Sequence, residues 1–404
     1  MALVVMKFGG SSVSDLTKIR HVAELIIKKK HSHNKVIVVV SAPGDKTDEI
    51  LDIVHNITST PSLRELDMLL STGEIISISL LSILLNSLGE TAVALTGPQA
   101  GIIGNNEYTN AKITQINTNN IMTKLKQGNI VIVAGFQALN NLGDITTLGR
   151  GGSDLTAVAL AATLKVDYCE IYSDVDGIYS VDPRINQNAI KLNIISYDEM
   201  LEMASTGAQV LQTRSVLIAK KFNIDIYSKG TFSNDCGTLI TDRRNYMESL
   251  SISSITSDKD KVQFSITSSD NNAFGLVSKI LNKLAQCNIN VDMIEQPINN
   301  ILALTVSKKD MNQTNTELKN VLHKTSNIIC RPCITKISVI GIGLRNNTTL
   351  LADIFNMLHK NNIEIFMIST SEIRISFIVK ESDTEQAINV LHKNLIESKM
   401  KIKH

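Results

Sequence analysis

The sequence lacks an excess of charge of either sign. Its 404 residues include 40 Lys and Arg residues against 39 Asp and Glu residues. Proteins that bind nucleic acid or an anionic membrane through bulk charge need a positive surface, so we expect neither as a partner. An anion site in this chain must be a local concentration of positive side chains and backbone N–H groups.

A long apolar run and a targeting leader are also lacking. No uninterrupted apolar stretch reaches the roughly 18 residues of a membrane-spanning helix. The start of the chain, Met1 to Phe8, lacks the basic start, the long apolar segment after it and the cleavage site of a signal peptide. The five cysteines are scattered, and an odd number without a leader indicates a reducing compartment. We therefore expect a cytoplasmic protein.

Two patterns that resemble metal sites are incomplete. Cys330 and Cys333 have the spacing of a metal or redox motif, but no second cysteine pair and no nearby His accompany them. Asp174, Asp176 and Asp182 suggest a calcium loop, but its closing Glu is missing. We interpret the first pattern as chance spacing and reject the second, so we expect no metal site built by the protein alone.

The first part of the chain, residues 1–240, alternates between strand and helix patterns. Leu3–Phe8 and Val36–Val40 are short apolar runs typical of buried strands, and Leu63–Leu88 is a long apolar helical stretch. Helix Ser153–Leu164 then leads into a further strand. This alternation predicts a mainly parallel sheet covered on both faces, with ligands at the carboxyl ends of its strands.

An internal repeat follows residue 245. Ile280–Leu284 resembles Ile354–Leu358, and the tetrapeptide Val-Leu-His-Lys occurs at 321–324 and again at 390–393. Each copy has the pattern strand, helix, strand, strand, helix. The repeat predicts two similar domains packed together, against the alternative of chance similarity in a sequence rich in Asn and Ile.

Two glycine loops have the composition of anion sites. In Lys7-Phe-Gly-Gly-Ser-Ser, between a strand and a helix, bare backbone N–H groups and a Lys can face phosphate oxygens. It is neither a Walker A sequence nor a dinucleotide fingerprint, and a structural turn is the alternative. In Thr146-Thr-Leu-Gly-Arg-Gly-Gly-Ser-Asp, Arg150 suits bidentate recognition of a carboxylate or phosphate. Helix capping explains Ser153 or Asp154 but not an Arg between glycines.

Other polar residues near strand ends can be interpreted either as ligand-binding residues or as structural ones. Glu74 lies among apolar residues and should meet a cation, either a substrate ammonium or an internal Lys or Arg. Ser41 and Thr47 can hold a carboxylate or cap a helix. In Ser173-Asp-Val-Asp-Gly-Ile-Tyr-Ser-Val-Asp-Pro-Arg, after a strand, Tyr179 and Arg184 can meet the adenosine and the phosphates of a nucleotide.

At these residues the sequence closely resembles the aspartate kinases, within the amino-acid kinase family. The resemblance covers essentially the whole chain. Its carriers are KFGGSS at 7–12, GFQ at 135–137, TTLGRGGSD at 146–154, EIYSDVDGIY at 170–179, DPR at 182–184, RSV at 214–216 and STSEIRIS at 369–376. It implies an α/β fold with a three-layer, mainly parallel catalytic domain at 1–245. Two α+β, ferredoxin-like ACT domains at 246–325 and 326–404 would follow.

The resemblance also implies what the protein does. The expected reaction is ATP plus L-aspartate giving 4-phospho-L-aspartate and ADP, with Mg²⁺ as cofactor. This is the first step towards lysine through diaminopimelate, threonine and methionine. We expect feedback by lysine, threonine or both, and a homodimer or higher oligomer joined through the ACT domains.

The matching motifs assign site residues one by one. The catalytic candidates are Lys7, Arg150 and Asp154. The candidates for binding aspartate are Ser41, Thr47, Glu74, Arg150, Gly151, Gly152, Ser153 and Asp154. Among them, Glu74 and Asp154 would receive its ammonium, and Arg150 would hold its α-carboxylate. The ATP-site candidates are Lys7, Gly9, Gly10, Ser11, Ser173, Asp174, Tyr179, Arg184 and Gln209. The regulatory candidates are Asn290, Asp292 and Gln296.

One departure from the family pattern concerns the nucleotide. The family usually has a Lys in the segment that reads Thr206-Gly-Ala-Gln-Val here, and this chain has Gln209. Two alternatives to an aspartate kinase stay open. One is a kinase for glutamate or acetylglutamate, against which the tandem repeat argues. The other is a non-catalytic amino-acid sensor, which Gln209 favours and the intact Lys7 and Arg150 oppose.

Overall fold

The fold is known from a computed structural model, which describes residues 3–32, 35–166, 168–208, 210–242, 251–267, 273–298, 301–322, 327–344 and 347–398. The chain forms two compact units. The first comprises Met1–Ile178, Lys191–Ala204 and Gln209–Asn245, and the second comprises Tyr179–Ile190, Ser205–Ala208 and Tyr246–His404. Two short segments from the predicted catalytic region therefore belong to the second unit. The division into three domains with boundaries at 245 and 325 stays a prediction.

The elements up to residue 245 alternate between strands and helices, as the sequence predicts. In chain order they are β1 (Leu3–Phe8), α1 (Leu16–His31), β2 (Lys35–Val40), α2 (Lys46–Ile57), α3 (Leu63–Leu70), α4 (Thr72–Ser87), β3 (Ala92–Leu95), β4 (Ile102–Gly104), β5 (Ile113–Ile116), α5 (Asn119–Lys126), β6 (Ile130–Ala134), β7 (Gln137–Leu139), β8 (Ile145–Thr147), α6 (Gly152–Thr163), β9 (Tyr168–Ser173), β10 (Ile178–Tyr179), β11 (Lys191–Leu192), β12 (Ile194–Ile195), α7 (Tyr197–Ser205), α8 (Thr213–Phe222), β13 (Asp225–Gly230) and β14 (Thr238–Ile240).

An eight-stranded sheet forms the centre of the first unit, in the order β12-β14-β13-β9-β1-β2-β6-β3. Neighbouring strands are parallel except for the antiparallel pair β13–β14. The inner strands β1, β2 and β6 are almost continuous runs of buried apolar residues, because both faces of a parallel sheet are covered. The predicted mainly parallel sheet is confirmed.

Helices cover both faces of this sheet. Val4, Met6 and Phe8 of β1 pack in one core cluster with residues of α1 and α4. Lys7, between them in sequence, instead meets Asp154 of α6. Since successive side chains of a strand point to opposite faces, α6 covers the other face. The first unit is therefore a three-layer structure, and a small sheet in the order β5-β4-β7-β8 leads into the second glycine loop.

The predicted helix over Leu63–Leu88 is two helices, α3 and α4, joined at Ser71. The carbonyl oxygen of Ser71 accepts a hydrogen bond from Gln137 Nε2 (2.6 Å), which anchors the junction. By length and composition the stretch Leu63–Ser87 is apolar enough to cross a membrane, and half of it is buried inside the fold. A core helix of a globular protein has the same properties, so this stretch is weak evidence for a membrane span.

The second unit contains the internal repeat. Its elements after residue 250 are β15 (Ser251–Thr267), α9 (Ala273–Gln286), β16 (Val291–Ile298), β17 (Ile301–Ser307), α10 (Met311–Val321), β18 (Asn327–Ile342), α11 (Thr348–Lys360), β19 (Met367–Thr370), β20 (Arg374–Lys380) and α12 (Thr384–His392). Both copies have the predicted order of strand, helix, strand, strand, helix. They share one six-stranded sheet, β16-β17-β15-β18-β20-β19, in which β15 and β18 pair antiparallel at the centre.

Candidate active site

Lys7 lies near the carboxyl end of the central strand β1. Its side chain is 11% exposed, and its Nζ lies 2.7 Å from Asp154 Oδ1 in the first turn of α6. Both charges are largely buried, so each depends on the other for compensation. Asp154, predicted to receive a substrate ammonium, thus contacts Lys7 in this structure.

The glycine pair after β1 leaves bare backbone beside this ammonium. A Cβ on Gly9 would lie 3.6 Å from Lys7 Nζ, and a Cβ on Gly10 would come within 2.6 Å of the Ala42 carbonyl oxygen. The N–H of Gly44 also donates to the Gly10 carbonyl (2.9 Å). Any larger residue at 10 would push the two loops apart. The space over Gly9 beside a Lys fits an anionic phosphate group.

Glu74 is a buried carboxylate with one oxygen free. Glu74 lies in the first turn of α4, just after the junction with α3, and is 3% exposed. Oε1 accepts a hydrogen bond from the Ala42 N–H (3.0 Å). Oε2 is buried without a partner among the described residues. Burial raises the pKa of Glu74 to about 7, although the hydrogen bond from Ala42 opposes the shift. The alternative of an internal Lys or Arg partner is therefore wrong for the described part of the chain.

The loop after β2 lies between these two features. Ser41 donates its backbone N–H to the Phe8 carbonyl (3.2 Å), which places it next to the first glycine loop. Thr47 lies in the first turn of α2, after Asp45 at the N-cap, so it is not the capping residue. Both hydroxyl residues are partly exposed; Ser41 begins the loop that touches Glu74 and Gly10, and Thr47 lies in the helix that follows it.

The second glycine loop joins β8 to α6. Gly149 and Gly151 have φ angles of +79° and +73°, which favour glycine. Between them the Arg150 side chain is 94% exposed, and its Nη2 lies 3.9 Å from Asp48 Oδ1 at the start of α2. A Cβ on Gly135 would come within 2.5 Å of Ser153 Oγ, so the GFQ segment supports the helix start. Arg150 is accessible to an anionic ligand.

The nucleotide candidates are divided between the units. Ser173 ends β9 in the first unit, and its Oγ accepts from the N–H of Val175 (3.2 Å); Asp174 next to it is exposed. Tyr179 and Arg184 belong to the second unit. There the Arg184 guanidinium donates to the Asp182 carboxylate (2.8 Å) and is 89% exposed. Gln209 lies outside the described residues.

The regulatory candidates lie around β16 of the second unit. Asn290 is exposed just before the strand. Asp292 accepts from Lys336 Nζ (2.6 Å) and lies 3.5 Å from Lys261 Nζ. Burial opposes the effect, but these two cations hold the pKa of Asp292 below its usual range. Its carboxylate therefore serves an internal ion-pair network. The side chain of Gln296 lies outside the described residues, so an effector role for the three stays a prediction.

Sequence reasoning missed Asp67, a buried carboxylate of α3 that supports the second glycine loop. It accepts hydrogen bonds from the N–H groups of Thr109 (2.8 Å) and Thr147 (2.9 Å) and from Thr147 Oγ1 (2.6 Å). Thr147 ends β8 directly before the loop. The only signal in the sequence was an acidic residue within an apolar helix, the same signal that singled out Glu74.

Comparison with known proteins decides the family. Residues 2–227, more than half of the chain, match the model of the amino acid kinase family, and residues 337–395 match an ACT domain. The aspartokinase of Corynebacterium glutamicum is 40% identical over 403 residues, which cover 97% of this chain and 96% of that protein. The chain belongs to the aspartokinases. A Helicobacter pylori aspartokinase is likewise 40% identical, over 96% of this chain and 98% of its own length.

Solved aspartokinases share the fold. The structure of E. coli aspartokinase III in complex with aspartate and ADP has a TM-score of 0.82 at 24% identity and covers 98% of this chain and all of its own (100%). The Synechocystis aspartate kinase is 35% identical with a TM-score of 0.56, and the match covers 98% of this chain and 69% of that one. The predicted family, fold class and enzyme class are confirmed.

Glu74→Gln should stabilise this aspartokinase at high pH. Burial raises the pKa of the carboxyl to about 7 in the fold from its ordinary 4.5, so the folded state holds the proton more tightly than the unfolded state. Raising the pH from about 4.5 to about 7 therefore lowers the free energy of unfolding, by roughly 3 kcal/mol at about 1.36 kcal/mol per pKa unit. Gln removes this loss.

The measurement is denaturant unfolding of both proteins at pH 5 and pH 8. The stability gain of the variant should be larger at pH 8. Glu65→Gln, whose side chain is 61% exposed on α3, is the control and should show no such pH dependence. Equal gains for Glu74→Gln at both pH values would contradict the raised pKa.

Proposed function

We propose that this chain transfers the γ-phosphoryl group of ATP to the side-chain carboxylate of L-aspartate, giving 4-phospho-L-aspartate and ADP. The observation that carries the proposal is the meeting of two complementary features on the Ala42–Gly44 loop. Gly10 touches this loop, next to Gly9 beside the Lys7 ammonium, and Glu74 accepts from the loop with one oxygen free. The glycine pair beside the Lys7 ammonium suits a phosphate group, and the free carboxylate oxygen of Glu74 suits an amino group.

The aspartate would be held by opposite charges at its two ends. Glu74 Oε2 would accept from the ammonium, and the accessible Arg150 would bind the α-carboxylate. This arrangement leaves the side-chain carboxylate to face the first glycine loop. The complex of E. coli aspartokinase III with aspartate and ADP supports this pair of ligands, although it resembles this chain at the level of the fold.

No general base is required for the transfer. A carboxylate with a reference pKa of about 4 is already ionised at neutral pH. The barrier is electrostatic, because an anion must approach a polyanion. Lys7 and the backbone N–H groups after it would stabilise the transferring group, and Asp154 would hold the Lys7 ammonium in place. Mg²⁺, arriving with the nucleotide, would supply further charge neutralisation.

The remaining assignments follow from the family. Ser173, Asp174, Tyr179, Arg184 and Gln209 are proposed for the nucleotide. The ACT domain supports feedback by lysine or threonine, and E. coli aspartokinase III has been solved with lysine and aspartate. We also propose a cytoplasmic homodimer or higher oligomer that starts the pathway to lysine, threonine and methionine. Glutamate differs from aspartate by one methylene, and a binding pocket can discriminate against one methylene by only about 1–3 kcal/mol. The identity of the acceptor must therefore be tested directly.

Trapping the acyl phosphate with hydroxylamine tests the reaction. With Mg-ATP, aspartate should give the hydroxamate and glutamate should not. Lys7→Ala should lower kcat by roughly 10²–10³ because a donor at the transferring group is lost, while calorimetry shows aspartate binding largely intact. Lys18→Ala, partly exposed on α1, is the control. Unchanged kcat in Lys7→Ala would refute the assignment, and no hydroxamate from wild type would favour a sensor.

Gln209→Lys tests the departure in the nucleotide segment. A restored charge-assisted hydrogen bond is worth roughly 1.5–3 kcal/mol, so the KM for ATP should fall or kcat should rise by about tenfold or more. Gln209→Met keeps a long side chain without the charge and should not improve either constant. Steady-state kinetics with varied ATP give the answer, and no change with Lys would show that the missing charge is immaterial.

Feedback is tested by adding lysine and threonine, singly and together, at millimolar concentration. Trapping rates should fall with at least one of these additions. The control is the same concentration of alanine. Activity that stays constant under all three additions would contradict regulation by these pathway amino acids.

A further inference from the structure

We propose that Arg214, assisted by Gln212, is a positioning residue that shapes the second glycine loop for the α-carboxylate of the amino-acid substrate. The inference rests on the proposed function of that loop. Both residues lie at the start of α8, where Gln212 is the N-cap and Arg214 is in the first turn. The RSV motif that contains Arg214 was recognised in the sequence without a role.

The Arg214 guanidinium bridges two carbonyl oxygens. Nη1 donates to Leu148 (2.7 Å), and Nη2 donates to Ala111 (2.8 Å). A weaker contact joins Nη1 to Asn110 Oδ1 (3.3 Å). The rigid fork of a guanidinium suits such a bridge, and a Lys ammonium does not replace it. Arg214 therefore ties the end of β8 to the segment before β5.

Gln212 holds the same loop two residues further on. Its Nε2 donates to the Arg150 carbonyl oxygen (2.8 Å). Its Cβ and Cγ would lie 2.8 and 2.9 Å from a Cβ placed on Gly151, which has φ +73°. Side chain and backbone thus fit closely, and Gly151 is required at this position. We call Gln212 and Arg214 the α8 clamp.

The α8 clamp sets the direction of the loop amides. In a trans peptide the N–H points away from the carbonyl of the same peptide group. With the Leu148 and Arg150 carbonyls turned to α8, the N–H groups of Gly149 and Gly151 point away from it. Neither N–H has a hydrogen-bond partner among the described residues. Two free N–H donors beside Arg150 form a cradle for a carboxylate.

The charge of Arg214 adds to this cradle. No carboxylate in the described part of the chain forms an ion pair with it, and its partners are neutral oxygens. Arg214 is partly exposed, and Glu107 acts on its charge through space. The positive charge of Arg214, which Glu107 offsets in part, adds to the attraction of the substrate anion.

Arg214→Lys and Gln212→Met are the test variants, with Arg20→Ala, exposed on α1, as control. The trapping assay should show the KM for aspartate raised roughly tenfold or more in Arg214→Lys and less in Gln212→Met, since a charged hydrogen bond is worth more than a neutral one. The KM for ATP should stay within about twofold in both. Added guanidinium at millimolar concentration should restore aspartate affinity to Arg214→Ala, which a loss of folding would not allow.

Calorimetry of aspartate binding makes the result independent of turnover. Wild type that binds aspartate but forms no hydroxamate would overturn the proposed function and leave the α8 clamp testable through the dissociation constant. The positioning role of the α8 clamp would be overturned if Arg214→Lys bound aspartate with unchanged affinity, or if its affinity for ATP fell as much as its affinity for aspartate. If the Arg214 variants do not fold, the same comparison of aspartate and ATP affinities in Gln212→Met decides.

Discussion

The buried ion pair between Lys7 and Asp154 is the interaction on which the catalytic unit depends. It joins the central strand β1 to the start of α6, with only 11% and 10% of the two side chains exposed. Removing one partner of such a pair typically costs about 3–5 kcal/mol, because the other charge stays buried. The pair therefore fixes the first glycine loop, which follows Lys7, relative to the second, which precedes Asp154.

Local patterns in the sequence were enough to predict the parallel sheet, the repeated second unit and the two glycine loops. The Val and Ile runs of β1, β2 and β6 predict buried parallel strands because each residue must be apolar when both faces are covered. The repeated strand and helix order predicts the second unit. Both glycine loops could be recognised because their φ angles and close approaches, as at Gly10 and Gly151, exclude other residues.

Contacts between distant residues could not be predicted in the same way. Arg214 reaches Leu148 across 66 positions, and Asp67 reaches Thr147 across 80, so no periodicity or spacing links them. The two readings of Glu74 were equal until its neighbours were known. Asp292, a regulatory candidate, also accepts from Lys336, because a buried Lys requires a carboxylate wherever the fold places it.

Charge balance connects these features to the unusual Gln209. Lys7 is compensated by Asp154, and Glu74 adds negative charge when it is ionised. Arg150, 3.9 Å from Asp48, and Arg214, which donates to neutral oxygens, supply the positive charge near the second glycine loop. Arg150 lies in the second glycine loop and Arg214 donates to the Leu148 carbonyl of the same loop, where the amino acid is proposed to bind. An enzyme that joins two anions needs positive charge for each of them. On the proposed assignment of residue 209 to the nucleotide, Gln at that position would leave the polyphosphate more dependent on Lys7, and on the metal ion proposed to arrive with the nucleotide, than a Lys would.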